Sequence, residues 1–185
     1  LLLSMHRSGF TNLTGIDPYI ETSIEYQNNI KIHKTELFNM KGEFDLIMFH
    51  HSFEHMDQPL KILIKTKELL SPDGYVLIRI PIAGGFAWRK YRENWVQLDA
   101  PRHFFLHSLK SMDILSKKTG FVIEQIEYDS THFQFTGSEK YTAGISLSSG
   151  IELFNRKQIN FFNKEAKRLN QTKDGDSACF YLKKA

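Results

Sequence analysis

The alternation of apolar and polar residues along the chain predicts strands and helices in turn. Two nearly continuous apolar runs, FDLIMF at 44–49 and YVLIRIPI at 75–82, are typical of strands covered on both faces of a sheet. Shorter strands are indicated by period-two patterns or by β-branched and aromatic residues. These are NLTGID (12–17), IKIHKTEL (30–37), FVIEQIEYD (121–129) and SACFYLKK (177–184).

Helix signals lie between these strands. The first ten residues read as a helix that ends at Gly9, and Pro18 favours a helix over 18–27. Further helices are predicted from Asp57 and Pro59 onward, from Ser108 to about Lys118, and over 156–169. The alternation predicts a Rossmann-like α/β fold, an open and mostly parallel twisted sheet with helices on both faces and an antiparallel last strand. We expect one domain over residues 1–185.

Composition excludes several classes of protein. Hydrophobic residues make up 41% and charged residues 24%, as in ordinary globular proteins, and no apolar run approaches the length of a membrane span. The single cysteine, Cys179, excludes an internal disulfide, and a cytoplasmic location is the simplest expectation. The net charge of +3 comes from dispersed lysines, so we expect no dedicated nucleic-acid partner.

Three histidines lie close together in FHHSFEHM, and HSFEH at 51–55 matches the H-x-x-E-H pattern of one class of zinc peptidases. Such a site needs both histidines on one helix, where a spacing of four residues directs both imidazoles at one metal. Here the pattern directly follows an apolar strand, and the next helix signal comes only at Asp57. His51 and His55 would therefore lie in a strand-to-helix loop, and we predict no metal.

Asp17 follows the predicted strand NLTGID directly. An acid at this position of an α/β sheet accepts hydrogen bonds from the two hydroxyls of a ribose. The same carboxylate would serve NAD, so Asp17 alone does not choose the cofactor. The alternative interpretation is an N-cap for a helix that starts at Pro18.

The long segment FDLIMFHHSFEHMDQPLKILIKTKELLSPDGYVLIRIP (44–81) resembles the central part of class I S-adenosylmethionine-dependent methyltransferases. Asp45 near the start of the strand, Glu54-His55 in the following loop and the LSPDG turn carry this resemblance. It implies that S-adenosylmethionine (SAM) is the cofactor and that the loop at 50–53 lines its methionine end. His50 and His51 are then candidate cofactor residues, although strand alternation lets only one of them reach the pocket.

The resemblance also implies an adenine-contacting acid near Glu36, while Glu54 and His55 would hold the loop by local hydrogen bonds. A Gly-rich D-x-G-x-G stretch, which the family carries about 20 residues before the second strand, is absent from the sequence. We therefore expect that the chain begins inside the first helix, either as a truncated product or because the natural protein starts elsewhere. Weak cofactor binding is expected without the glycines.

The segment GGFAWRKYRENWVQLDAPRHFFLHS (84–108) follows the strand at 75–82, and the resemblance implies that it forms part of the acceptor pocket. Its W…LD-x-P-R-H arrangement resembles a methyltransferase subgroup associated with polysaccharide gene clusters. Aromatic side chains would stack on a sugar or another flat group, and an arginine would hold a carboxylate or phosphate. The candidate acceptor-binding residues are Trp88, Tyr91, Trp95 and Arg102.

His103 is the candidate catalytic base, since an imidazole takes a proton near neutral pH. In the alternative interpretation, Arg102 pairs with Asp99 to shape the loop and His103 supports it. Residues 130–176 are expected to be a variable insert that covers the sheet edge or the acceptor site, or forms a homodimer. The predicted function is methyl transfer to a small polar or glycan-linked acceptor, and the alternative is a non-catalytic scaffold of the same fold.

Overall fold

A computed structural model describes residues 1–26 and 29–185. By its internal contacts the chain divides into two compact units, Leu1–Glu43 and Phe44–Ala185. The prediction of one domain over residues 1–185, with an insert at 130–176, stays a prediction. No helix among the described residues is both long and apolar enough to cross a bilayer.

The first unit contains a helix and a three-stranded sheet. Helix α1 covers Leu2–Arg7, and Gly9 follows it with a φ of +92°, as predicted for a helix end. The strands are β1 (Thr14–Ile16), β2 (Ile24–Glu25) and β3 (Lys31–His33). They are arranged in the order β1-β3-β2, with β1 parallel and β2 antiparallel to β3.

The helix predicted over 18–27 is wrong for residues 18–26, which form turns and strand β2, and Gln27 lies outside the described residues. Pro18 does not start a helix here. Ile24 pairs with Ile32 across the sheet, and the β-branched and aromatic residues around it favour extended backbone. Strand pairing has therefore overridden the local helix signal.

The second unit is built around a four-stranded sheet in the order β4-β5-β7-β6. Its strands and helices, in chain order, are β4 (Phe44–His50), α2 (Pro59–Leu69), β5 (Leu70–Pro81), α3 (Phe86–Tyr91), α4 (Leu109–Lys118), β6 (Phe121–Tyr128), α5 (Phe133–Thr142), α6 (Arg156–Gln171) and β7 (Ser177–Lys184). Strand β4 is parallel to β5, while β7 lies between β5 and β6 and is antiparallel to both. The predicted antiparallel last strand is confirmed, and both sheets are mixed.

The two apolar runs are strands, as predicted, but each has an exposed position. In β5, Val76, Ile78 and Ile80 are fully buried, while Tyr75 is 36% exposed. In β4, Phe49 is buried and Leu46 is 39% exposed. The prediction that both faces are covered is therefore wrong at Tyr75 and Leu46.

The SPDG segment at 71–74 lies within β5 as an irregularity rather than before it as a separate turn. The register moves from Phe44 opposite Leu70 to Leu46 opposite Tyr75, so the extra residues bulge out of the ladder. The hydroxyl of Ser71 donates to the Asp45 carboxylate at 3.1 Å. This bond ties the bulge to the start of β4.

Helix packing completes the second unit. Helix α4 packs on β6 and against α2, and α5 packs against α3 and α6. Side chains of Ser108 and Ser111 form the capping box that starts α4, as the sequence predicts for Ser108. The residues between α3 and α4 form a long loop whose Phe104 N–H donates to the carbonyl of Glu54, and this loop carries Trp95, Arg102 and His103, while Trp88 and Tyr91 lie in α3.

Candidate functional site

The loop after β4 is shaped by an unusual backbone conformation and a buried aromatic ring. His51 has a φ of +48°, which is rare for a residue with a side chain, and its N–H donates to the carbonyl of Arg79 at 2.9 Å. A short 3₁₀ helix, Phe53–His55, follows, and the Phe53 ring is fully buried. This turn places Glu54 inside the protein and leaves His55 exposed.

Glu54 is 2% exposed, and among the described residues neither of its carboxylate oxygens has a hydrogen-bond partner. The Nδ1 atom of His51 lies 3.5 Å from Oε1. The main chain of Glu54 is well held, because its carbonyl accepts the N–H of Phe104 at 2.9 Å. Buried carboxylates are normally paired, so this group is poised for a ligand.

The loop at 99–103 brings His103 to Glu54 and places Asp99 beside His103. Asp99 has a φ of +42° and accepts both Nε (3.0 Å) and Nη2 (2.6 Å) of Arg102. His103 has a side chain that is 5% exposed, with its Nε2 3.7 Å from Asp99 Oδ2. The pairing of Arg102 with Asp99 matches the alternative interpretation of this loop. The roles of Arg102 in acceptor binding and of His103 as a base stay predictions.

Glu54, His55 and His103 form a cluster. One ligand atom from each side chain lies within 4.8 Å of those of the other two. The rings of His55 and His103 are 4.7 Å apart, centre to centre. Nδ1 of His55 lies 2.8 Å from the carbonyl of Arg102, and Nδ1 of His103 lies 2.9 Å from the carbonyl of Gln97. Because a carbonyl only accepts hydrogen bonds, both contacts favour the tautomer with the proton on Nδ1. In that tautomer Nε2 of each ring carries a lone pair.

Two neighbouring histidines are held in their neutral form by burial. Burial, followed by the positive charge of Arg79, lowers the pKa of His50 at the end of β4. His107 is 3% exposed, stacked on Phe53, and burial lowers its pKa to about 4 against an opposing effect of Glu54. The His107 ring therefore adds no positive charge beside Glu54 at neutral pH.

Asp17 and Glu36 lie in the first unit, whereas His50 and His51 lie in the second. Asp17 follows β1, is half-buried, and its Oδ1 accepts the N–H of Tyr19 at 2.8 Å. Among the described residues its Oδ2 accepts no hydrogen bond, so it is free for a ligand. Glu36 is exposed just before a 3₁₀ helix at Leu37–Asn39. The cofactor roles of these four residues stay predictions.

The predicted stacking role is wrong for two of the three aromatic residues. Trp95 is fully buried and its Nε1 donates to Asp176 at 2.9 Å. Tyr91 is 6% exposed and its hydroxyl donates to Glu139 at 2.7 Å, while burial, helped by that bond, raises its pKa. Trp88 is half-buried, packs edge-on against Trp95, and lines an open surface depression of about 580 Å³, so its predicted role stays open.

These aromatic residues belong to a hydrophobic core, which we call the aromatic core. Ala87, Tyr91, Trp95, Phe135, Ala166 and Leu169 are its buried members. The core joins α3 to α5 and α6, so part of the predicted insert supports the loop that was expected to bind the acceptor. The sequence analysis did not predict helix α5, because most of the residues that α5 buries are polar or glycine and give no apolar stripe.

The zinc-peptidase arrangement is excluded by the backbone. His51 lies in the turn after β4 and His55 ends a 3₁₀ helix, so the two side chains do not share an α-helix. The grouping of Glu54 and His55 with His103 was not foreseen. A signal was present, because the two loops follow β4 and β5, which are parallel neighbours whose carboxyl ends meet at one edge of the sheet.

Comparisons with known proteins agree with this fold. A family model described as a methyltransferase domain matches residues 1–126, more than half of the 185 residues. The chain therefore belongs to the methyltransferase domain family. The predicted resemblance to class I methyltransferases is thus confirmed, while the polysaccharide-associated subgroup stays a prediction. No curated protein matches the chain.

Several solved structures share the fold at low sequence identity. A mycolic acid cyclopropane synthase, CmaA1, complexed with SAH and CTAB, has a TM-score of 0.60 and 13% identity, over 98% of this chain and 73% of that one. A possible histamine N-methyltransferase from Thermotoga maritima has a TM-score of 0.57 and 19% identity, and the match covers 94% of this chain and 73% of that one. A SAM-dependent methyltransferase from Archaeoglobus fulgidus has a TM-score of 0.56 and 14% identity, over 99% and 80%.

Proposed function

We propose that this chain binds SAM and transfers its methyl group to a small polar or glycan-linked acceptor. The observation that carries the proposal is the buried, unpartnered carboxylate of Glu54 beside His103 in a chain of the methyltransferase domain family. SAM supplies an electrophilic methyl group, so the protein must bind the acceptor and help to remove its proton. Positioning of the two reactants provides much of the remaining acceleration.

Asp17 is the proposed ribose ligand. Its half-buried carboxylate keeps one oxygen free of hydrogen bonds within the described residues, which fits a ribose diol. Calorimetric titration with S-adenosylhomocysteine (SAH) tests this role. Asp17→Asn should weaken SAH binding at least tenfold, while Glu21→Gln, an exposed acid in the same unit, should not change it. Equal affinities in both variants would remove Asp17 from the site.

His103 is proposed to take part in removing the acceptor proton. Its side chain is almost fully buried beside Glu54, and its Nε2 carries the free lone pair. His103→Gln should lower kcat at least tenfold and leave SAH affinity unchanged, because general acid–base groups contribute about 10²–10⁴-fold. SAH release from a panel of sugar and amine acceptors is the assay. An unchanged kcat in this variant would exclude the role.

A second candidate is a non-catalytic scaffold of the same fold. A chain that binds neither SAM nor SAH would support the scaffold and end the methyltransferase proposal. A cytoplasmic location and a homodimer also stay proposals.

A further inference from the structure

We propose that Glu54, His55 and His103 bind a divalent transition-metal ion with the preferences of Zn²⁺. The site differs from the peptidase site considered from the sequence, because His51 is not a ligand and His103 comes from another loop. The carboxylate of Glu54 and Nε2 of each histidine are the proposed ligands. Two imidazoles with one carboxylate form a donor set that suits Zn²⁺ and related ions rather than Mg²⁺.

The first argument is distance. Ligand atoms from the three side chains already lie within 4.8 Å of one another. Ligands at about 2.0–2.2 Å from a zinc ion are about 3–4 Å apart, so only small side-chain rotations are needed. The three residues come from two loops whose backbones are joined by the hydrogen bond from Phe104 N–H to the Glu54 carbonyl. Their positions are therefore fixed before a metal arrives.

The second argument is the state of the histidine rings. In protein metal sites, a ligating imidazole commonly donates its other N–H to a carbonyl or carboxylate, which fixes the tautomer. Here Nδ1 of His55 and of His103 both contact backbone carbonyls, at 2.8 and 2.9 Å. Asp99 Oδ2, 3.7 Å from His103 Nε2, adds negative charge beside the proposed ion.

The third argument is Glu54 itself. A carboxylate that is 2% exposed and has no hydrogen-bond partner for either oxygen among the described residues is costly, unless a cation compensates it. The imidazole of His51 does not fill this place, since its Nδ1 is 3.5 Å from Oε1 and its side chain is 40% exposed. A bound divalent ion would satisfy the carboxylate. Exposed His55 gives the ion a path from solvent.

The consequence for catalysis rests on the proposed function. Three protein ligands leave coordination positions open, and a hydroxyl acceptor that binds there would lose its proton more easily. With Nε2 bound to the ion and Nδ1 facing the Gln97 carbonyl, His103 would not take the proton itself, and the proton would pass to water. The loss of kcat expected for His103→Gln would then follow from loss of the ion. The metal site itself can exist without methyl transfer, so binding is measured in the absence of SAM and acceptor.

Tag-free full chain, treated with chelator and dialysed, is titrated with ZnCl₂ and with MgCl₂ by calorimetry, and Zn²⁺ content is checked by elemental analysis. We expect about one Zn²⁺ per chain with micromolar or tighter affinity, and little Mg²⁺ binding. Glu54→Gln and His103→Gln should each weaken Zn²⁺ binding at least tenfold, since even residues that only support metal ligands cost about 10–100-fold. The matched control is His132→Gln, a half-buried histidine outside the cluster.

Co²⁺ absorption provides a readout that does not depend on activity. Wild type and His132→Gln should show the visible bands of a protein-bound Co²⁺, and Glu54→Gln should lose them while keeping its circular dichroism spectrum. Absence of stoichiometric Zn²⁺, or binding that is equal in all four proteins, would overturn the site. SAH binding that persists in a protein without Zn²⁺ affinity would overturn the metal site alone and leave the proposed function standing.

Discussion

Two clusters in the second unit contain the polar and aromatic residues that looked functional in the sequence, and they differ in one respect. In the aromatic core, the Trp95 N–H has Asp176 as its acceptor and the Tyr91 hydroxyl has Glu139. In the Glu54–His55–His103 cluster, the Glu54 carboxylate has no hydrogen-bond partner among the described residues. Glu54 is as buried as Tyr91 and Trp95, so burial alone does not separate them.

This difference helps to distinguish buried polar groups that stabilise the fold from those that could bind a ligand. A buried polar atom that finds a partner within the protein contributes to a stable fold and needs nothing further. A buried carboxylate without a partner destabilises the protein unless a proton or a ligand compensates it, which makes it a candidate for binding. The following predictions test whether the aromatic core mainly stabilises and the histidine cluster mainly binds.

Trp95→Ala should give the largest effect, a loss of about 3–5 kcal/mol in the free energy of unfolding. The ring is fully buried, and its removal also takes away one hydrogen-bond donor to the buried Asp176 carboxylate. Urea denaturation followed by circular dichroism measures the change. Trp88→Ala is the matched control and should cost less, because Trp88 is only half-buried. A stable Trp95→Ala protein without activity would contradict a purely structural role.

Asp176→Asn should change how stability depends on pH. Burial raises the pKa of Asp176 to about 6, despite the bond from Trp95 that lowers it. Since the folded pKa exceeds the unfolded value, the folded state binds the extra proton between about pH 4 and 6. This group therefore adds up to about 3 kcal/mol of stability as pH falls through that window, and loses it as pH rises.

Asparagine keeps an acceptor for Trp95 but has no charge to bury. The variant should lack this gain on acidification. From pH 7 to pH 4, the unfolding free energy of wild type should therefore rise relative to that of Asp176→Asn. Denaturation curves at several pH values give the measurement. Parallel pH profiles for the two proteins would show that Asp176 titrates normally.

Sequence patterns were sufficient for the elements whose local and tertiary preferences agree. The apolar run of β5, the serine that caps α4 and the antiparallel strand β7 were all predicted and are confirmed. The helix predicted at 18–27 failed because Ile24 pairs with Ile32, a contact that a local pattern does not contain.

The aromatic loop was misinterpreted because its partner helix is hard to recognise. Helix α5 buries Gln134, Thr136 and Ser138, which are polar, so its apolar stripe is weak. Gly137 permits the close approach, since a Cβ there would lie 2.5 Å from Val96 Cγ2. Because α5 was not predicted, the sequence showed no core in which Tyr91 and Trp95 could pack. Their aromatic side chains were therefore interpreted as binding residues.

Glu54→Gln should stabilise the protein, whereas the core substitutions should destabilise it. In metal-free protein, replacing an unpartnered buried carboxylate by a neutral amide should raise the free energy of unfolding by about 1–2 kcal/mol. Glu139→Gln is the comparison, because Glu139 accepts bonds from Tyr91 and Lys90 and should lose stability instead. Thermal and urea denaturation of both variants, in chelator, test the pair. A destabilised Glu54→Gln would mean that the carboxylate is already satisfied.

Tyr91→Phe should give the smallest effect, a loss of about 1 kcal/mol, because the buried ring is kept and one hydrogen bond is removed. The acceptor is not left stranded: the Glu139 side chain is 33% exposed and keeps Lys90 at 3.1 Å, so water can replace the lost hydroxyl. Asp176, at 2% exposure, has no such access to solvent, and Trp95→Phe should therefore cost more than Tyr91→Phe. Urea denaturation of these two variants compares the acceptors directly. Equal losses would show that solvent access at the acceptor does not set the cost of breaking a bond in this core.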